Sequence, residues 1–131
     1  MHHRTRDLVR HRAGDRCEYC FLRQQDSELI HHIEHILARK HGGTDARDNL
    51  ALACQRCNLR KGANLTGVDP VNGRVVGLFH PRRDEWDQHF RWRDAQIIGL
   101  TPIGRATVHV LALNDARRLA LRAAAFSDRV L

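Results

Sequence analysis

CEYC at residues 17–20 and CQRC at residues 54–57 bracket a segment that contains HHIEHILARKHGGTDARDNLALA, residues 31–53. Two CxxC pairs are the spacing of metal-binding knuckles, and four thiolates, Cys17, Cys20, Cys54 and Cys57, complete a tetrahedral zinc and leave it no open position for a substrate. The zinc is therefore expected to be structural. Chemistry would fall to the imidazole, carboxylate and amide groups between the knuckles. The gap from Cys20 to Cys54 exceeds that of a compact zinc ribbon, so an inserted hairpin is expected to fill it.

A chain of 131 residues has room for one ordinary domain, read as a zinc-stapled core over about 5–63 with an extension over about 64–131. A net charge of +7 and a pI near 10.2 point to a polyanionic partner, nucleic acid first. Lys40 and Lys61 are the only lysines, and the arginine excess suits either bidentate phosphate contacts or an ordinary soluble surface. The charged start MHHRTRDLVRHRAGDR has no apolar stretch of the kind a secretory signal needs, and no run approaches membrane-spanning length. The expectation is a soluble, cytoplasmic protein with no membrane partner, where paired cysteines serve metal; in a secreted chain they would instead allow three disulfide pairings. The oligomeric state is left open.

Local patterns give a coarse architecture. TRDLVRHRA, 5–13, reads as a helix capped by Thr5 and stopped by Gly14. The isoleucine-rich run 28–37 reads as a strand, though its length also suits a helix; as a strand it puts His32 and Glu34 on one face and Ile33 and His35 on the other. Gly42 and Gly43 mark a turn, residues 49–53 a second strand, and CQRCNLRKG a helix ending at Gly62. Beyond it, 64–73 reads as turns, 74–79 as a strand, 81–90 as a helix opened by Pro81, and 95–100 as a strand. Thr101 and Pro102 open a helix, and Asn114 and Asp115 open another. The last carries an apolar stripe of Ala116, Leu119, Ala120, Ala123 and Ala124, with Arg117, Arg118 and Arg122 outside it. Trp86, Phe90 and Trp92 suit either a packed core or a nucleic-acid surface, the core being the better reading.

From CEYC through IEHI and HGGTDARDNLALAC to CQRCNLRKG, about half the chain resembles the HNH endonucleases of the ββα-metal type. That resemblance implies an α+β fold, a ββα-metal core stapled by the four-cysteine zinc site with an added α/β C-terminal extension. It implies hydrolysis of nucleic-acid phosphodiester bonds, DNA first, leaving 5′-phosphate and 3′-hydroxyl ends, with one catalytic magnesium or manganese. By position, His35 is the expected general base, Asn49 the residue that orients it, and Glu34 and Asn58 the oxygen ligands of the cation. The chemistry agrees: an imidazole accepts a proton near neutrality, and hard oxygen donors suit a hard divalent ion. His32 is a further candidate ligand. Arg39, Lys40, Arg56, Arg60 and Lys61 are candidate phosphate contacts. The chain departs from the family in having Glu34 where aspartate is usual and Ala38 where proline is usual. A non-catalytic zinc module that binds nucleic acid through its arginines is the alternative, although such a module has no need of Glu34, His35 and Asn58 in this order.

Overall fold

Helix α1, His3–Ala13, is short of apolar residues, and Val9 is the one side chain it buries fully. His2, rather than Thr5, caps it by accepting from the Arg4 amide through Nδ1 at 3.1 Å, while Gly14 closes it in the left-handed conformation that favours glycine. With so little hydrophobic area, α1 is docked by guanidinium groups. Arg10 donates to the His31 carbonyl at 2.9 Å, and Arg12 donates to the carbonyls of Leu50 at 2.7 Å and Arg47 at 3.1 Å. Part of the arginine excess therefore serves the protein's own backbone.

The computed structural model describes residues 1–130, with side chains described through Asp128. They form two units, Met1–Ala63 with His80–Arg83, and Asn64–Phe79 with Asp84 onward. In the first, β1 (His32–His35) pairs antiparallel with β2 (Leu50–Ala53), with Glu34 opposite Ala51 and His35 opposite Leu50. The strand is shorter than the run 28–37 suggested. Helix α2, Gln55–Lys61, begins directly on the second knuckle and packs against both strands. The element order β1, loop, β2, α2 is the expected ββα core. β2 is buried along its whole length, and Leu50 and Leu52 join Val9, Ala13 and Ile33 in a small apolar core under α1. His80–Arg83 belongs to this unit: Arg82 donates to the Glu18 carboxylate, which itself accepts from the Leu52 amide at 2.8 Å. Pro81 does not open the expected helix, which starts only at Trp86.

The second unit holds two hairpins and three helices. β3 (Thr66–Val68) pairs with β4 (Val75–Gly77), and α3 (Trp86–His89) leads into β5 (Phe90–Arg93), which pairs with β6 (Gln96–Gly99). β3 and β5 have no counterpart in the sequence reading. α4, Pro102–Val110, is capped by Thr101, whose hydroxyl accepts from the Gly104 amide, and it packs against β3, β4 and β6. Gly67 permits that approach, since a Cβ there would lie 2.6 Å from Val110 Cγ2. Asp69 accepts both nitrogens of the Arg105 fork, at 3.0 and 2.7 Å, and so ties the hairpin to α4. Trp86, Phe90, Trp92 and Phe126 form a chain of ring contacts with centroids 5.1 to 5.4 Å apart, which makes the aromatic segment core material within this unit.

Helix α5, Ala116–Val130, corrects the sequence reading. The buried positions are Arg118, Arg122 and Ala125, while Ala116, Ala120, Ala123 and Ala124 are exposed. The guanidiniums satisfy carbonyls left open at the end of α4 and beyond: Arg118 bonds Leu111 and Ala112, and Arg122 bonds Ala95 at 3.0 Å, Leu113 at 2.8 Å and the Asn114 side chain at 3.1 Å. Those acceptors select the arginine face over the small alanine stripe. Arg122→Ala takes this donor from the Ala95 and Leu113 carbonyls in the interior, while Asn114 Oδ1 keeps the Ile97 amide, and is expected to cost about 2–6 kcal/mol at roughly 1–3 kcal/mol per unsatisfied group. Urea unfolding followed by the fluorescence of Trp86 and Trp92 measures it.

Candidate functional site

The four knuckle sulfurs lie within 4.8 Å of one another, and all four cysteines are buried. Cys20 Sγ and Cys54 Sγ are 3.6 Å apart, close to the edge of about 3.8 Å that Zn–S bonds of about 2.3 Å give a tetrahedron. Each knuckle folds an amide back onto its first sulfur, Cys20 onto Cys17 at 3.5 Å and Cys57 onto Cys54 at 3.4 Å. Burial pushes the Cys17 and Cys57 thiols up, so four thiolates share this space only with a cation among them. The donor set fits a structural metal such as zinc. Among the described residues it is the only group of three or more His, Cys, Asp or Glu donors placed to hold an ion.

β1 carries the next two candidates out of its end. Strand alternation turns Glu34 inward, where it is 4% exposed, and puts His35 on the other face, half-buried. The two neighbours in sequence therefore sit in different surroundings. Glu34 accepts from the Tyr19 hydroxyl, supplied by the first knuckle, and lies 3.5 Å from Lys61 Nζ, supplied by α2. Burial raises its carboxyl, against the pull of Lys61 and Tyr19. Lys61, expected at a phosphate-facing surface, is instead 2% exposed and also donates to the Ile36 carbonyl at 2.9 Å. Its ammonium compensates the buried acid, which leaves it unfit for a phosphate contact.

His35 Nε2 meets Asp45 Oδ1 at 2.7 Å, and Arg39 donates to the same oxygen at 2.8 Å. Asp45 is absent from the sequence reading, because nothing in a loop sequence says which of its acids turns back to the strand. The hydrogen bond from His35, with the charge of Arg39, holds the Asp45 carboxyl below the usual range. Asn49 does not touch the imidazole. Its amide accepts from the Leu37 amide at 2.8 Å and donates to the carbonyls of Leu37 at 3.0 Å and Thr44 at 2.8 Å, so it clamps the loop that follows β1. Asn58 lies half-buried on α2, and His32, exposed at the start of β1, joins no cluster of metal donors among the described residues. Arg39, Lys40, Arg56 and Arg60 are exposed.

The loop needs both glycines for different reasons. Gly42 has φ +91°, and Gly43 sits where a Cβ would fall 1.7 Å from the Leu37 carbonyl oxygen. Gly43→Ala must push this backbone apart and carry Asp45 away from His35. It is expected to cost about 1–3 kcal/mol, read by thermal melting.

The geometry of an antiparallel pair and a following helix, stapled by a cysteine cluster, is that of an α+β, HNH-type core. Residues 17–64 match the family described as HNH endonuclease, and the resemblance drawn from the knuckles and the segment between them is supported by that match. The chain is also similar to Septu protein PtuB of Bacillus thuringiensis, at 26% identity over 114 residues, which is 82% of this chain and 40% of that protein. It thus spans well under half the length of that relative. No solved structure matches the chain. Among the described residues no helix is long and apolar enough to cross a membrane.

Proposed function

We propose that the protein is a metal-dependent endonuclease that hydrolyses DNA phosphodiester bonds, with His35 as the general base. The observation that supports this most is an imidazole at the end of β1, held at one ring nitrogen only, inside the segment that matches the HNH family. His35 takes a proton from a water molecule, the water oxygen forms a bond to phosphorus, and the bond from phosphorus to the 3′ oxygen breaks. That oxygen leaves as a hydroxyl after taking a proton from solvent, and the phosphate stays on the 5′ end. Such proton transfer contributes on the order of 10²–10⁴ in rate.

The catalytic cation would be magnesium or manganese, for which Glu34 and Asn58 offer hard oxygen donors and His32 a further ligand. When bound, such an ion neutralises charge developing on the phosphate. The Lys61 ammonium and the Tyr19 hydroxyl already occupy Glu34 in the present arrangement, so a cation there would have to displace Lys61. The knuckles would hold a structural metal, zinc by the donor set. The first unit carries 14 of the 22 Lys and Arg but 8 of the 15 Asp and Glu, so nearly all of the net positive charge lies with the proposed site. Arg39, Lys40, Arg56 and Arg60 on that unit are the phosphate contacts we favour.

Supercoiled plasmid incubated with the protein and magnesium or manganese, with chelator and His35→Ala as controls, tests the proposal. Relaxed or linear DNA that depends on both metal and His35 is the expected result. Intact plasmid with every metal would favour the other reading, a zinc-stabilised nucleic-acid-binding module, to which the Lys61 to Glu34 pairing lends some support.

A further inference from the structure

We infer that Asp45 is a positioning residue that decides which nitrogen of His35 serves as the base: its carboxylate keeps the proton on Nε2 and leaves Nδ1 to receive the proton from water. The inference rests on the proposed role of His35 and adds an atom-level assignment to it.

The argument begins with the 2.7 Å contact between His35 Nε2 and Asp45 Oδ1. An ionised carboxylate has only lone pairs to offer, so the nitrogen facing it must carry the hydrogen. A neutral imidazole has one N–H, and fixing it on Nε2 places its single lone pair on Nδ1. No described residue donates a hydrogen bond to that nitrogen, so it is open to a water. Asp45 is itself held on two sides. Arg39 donates to the same oxygen at 2.8 Å, and Asn49 grips the neighbouring Thr44 carbonyl at 2.8 Å. The Ala46 amide turns back onto the Thr44 hydroxyl at 3.3 Å, and the tight approach of Gly43 to Leu37 sets where this loop starts. The conformation therefore delivers one carboxylate to one ring nitrogen. Removing it frees the ring to rotate and to exchange tautomers, and in the Nδ1–H tautomer or a turned ring no lone pair faces the water.

Two measurements on the full chain test this. In the first, ¹⁵N-labelled wild type, Asp45→Ala and Asp45→Glu are compared by long-range proton–nitrogen correlation of the histidine rings, with His35→Ala identifying the His35 signals. Wild type should show the proton on Nε2, Asp45→Ala a mixture of tautomers, and Asp45→Glu a return toward wild type. In the second, plasmid cleavage by Asp45→Ala should lose about 10–100-fold in kcat, the scale typical of partners that orient a functional histidine. KM should stay within about twofold, because binding of substrate is not what Asp45 supplies. Asp45→Glu should recover most of the rate, which a variant that merely unfolds the loop would not allow. An unchanged His35 ring spectrum in Asp45→Ala, or an unchanged kcat, overturns the role of Asp45. Equal cleavage by wild type and His35→Ala overturns the base assignment instead, so the two failures are told apart.

Discussion

Replacing Cys57 by alanine is expected to abolish bound zinc and unfold the first unit. Its apolar core is modest: Val9, Leu50 and Leu52 with Ala13 and Ile33 against them form one cluster, and Tyr19, Leu22 and Ile36 are also buried. Domains of this size keep a net stability of roughly 5–15 kcal/mol, whereas zinc bound by a four-ligand structural site contributes on the order of 10–16 kcal/mol at neutral pH. Losing the metal therefore removes an amount comparable with the whole. Cys57 also lies in the first turn of α2, so the helix loses its anchor to the knuckle at the same stroke. Metal analysis should find stoichiometric zinc in the parent and almost none in the variant, and far-ultraviolet circular dichroism should lose the corresponding signal. A strong chelator should reproduce both changes. Full secondary structure in a metal-free variant would refute a zinc staple.

His35→Ala is expected to lower the cleavage rate by about 10²–10⁴ with the fold retained. The two effects separate because the ring is half-buried at a strand end and its hydrogen-bond partner is a surface carboxylate. No core cavity is opened, so melting temperature should move by only a few degrees, in line with roughly 1 kcal/mol or less for an edge position. Substrate binding, which we assign to the exposed arginines, should change little when measured by DNA retention without metal. A variant that cut DNA as fast as the parent would remove His35 from the mechanism.

How much of this is legible in the sequence depends on whether a residue acts through its neighbours in the chain or through distant ones. The CxxC pairs announce the sulfur cluster because four thiols at that spacing have few other uses, and Gly14, Thr101 with Pro102 and Gly62 mark helix ends through backbone rules that are strictly local. The β1 to α2 order follows from the same punctuation. What fails is partner choice. Lys61 reads as a surface cation until the inward register of Glu34 gives it a buried acid, and Tyr19 cannot be tied to that acid across the first knuckle. On α5 an alanine stripe looks like the inner face by hydrophobicity alone, yet open carbonyls at the end of α4 draw Arg118 and Arg122 inside. Asp45 is one of several acids in a loop. Only the folded path of that loop brings it to His35.

The return of His80–Arg83 to the cysteine-bearing unit bears on any attempt to isolate that unit. A chain cut after Ala63 keeps the whole segment that spans the two knuckles and α2, yet it strips Glu18 of the Arg82 guanidinium and leaves that acid, which also steadies β2 through the Leu52 amide, without its counter-charge. Burial, with the nearby charge of Arg12, lowers Arg82 to about 10, and Glu18 is the acid it pairs with. The shortest fragment that folds well should therefore reach past residue 83, even though the recognisable motif ends some twenty residues earlier.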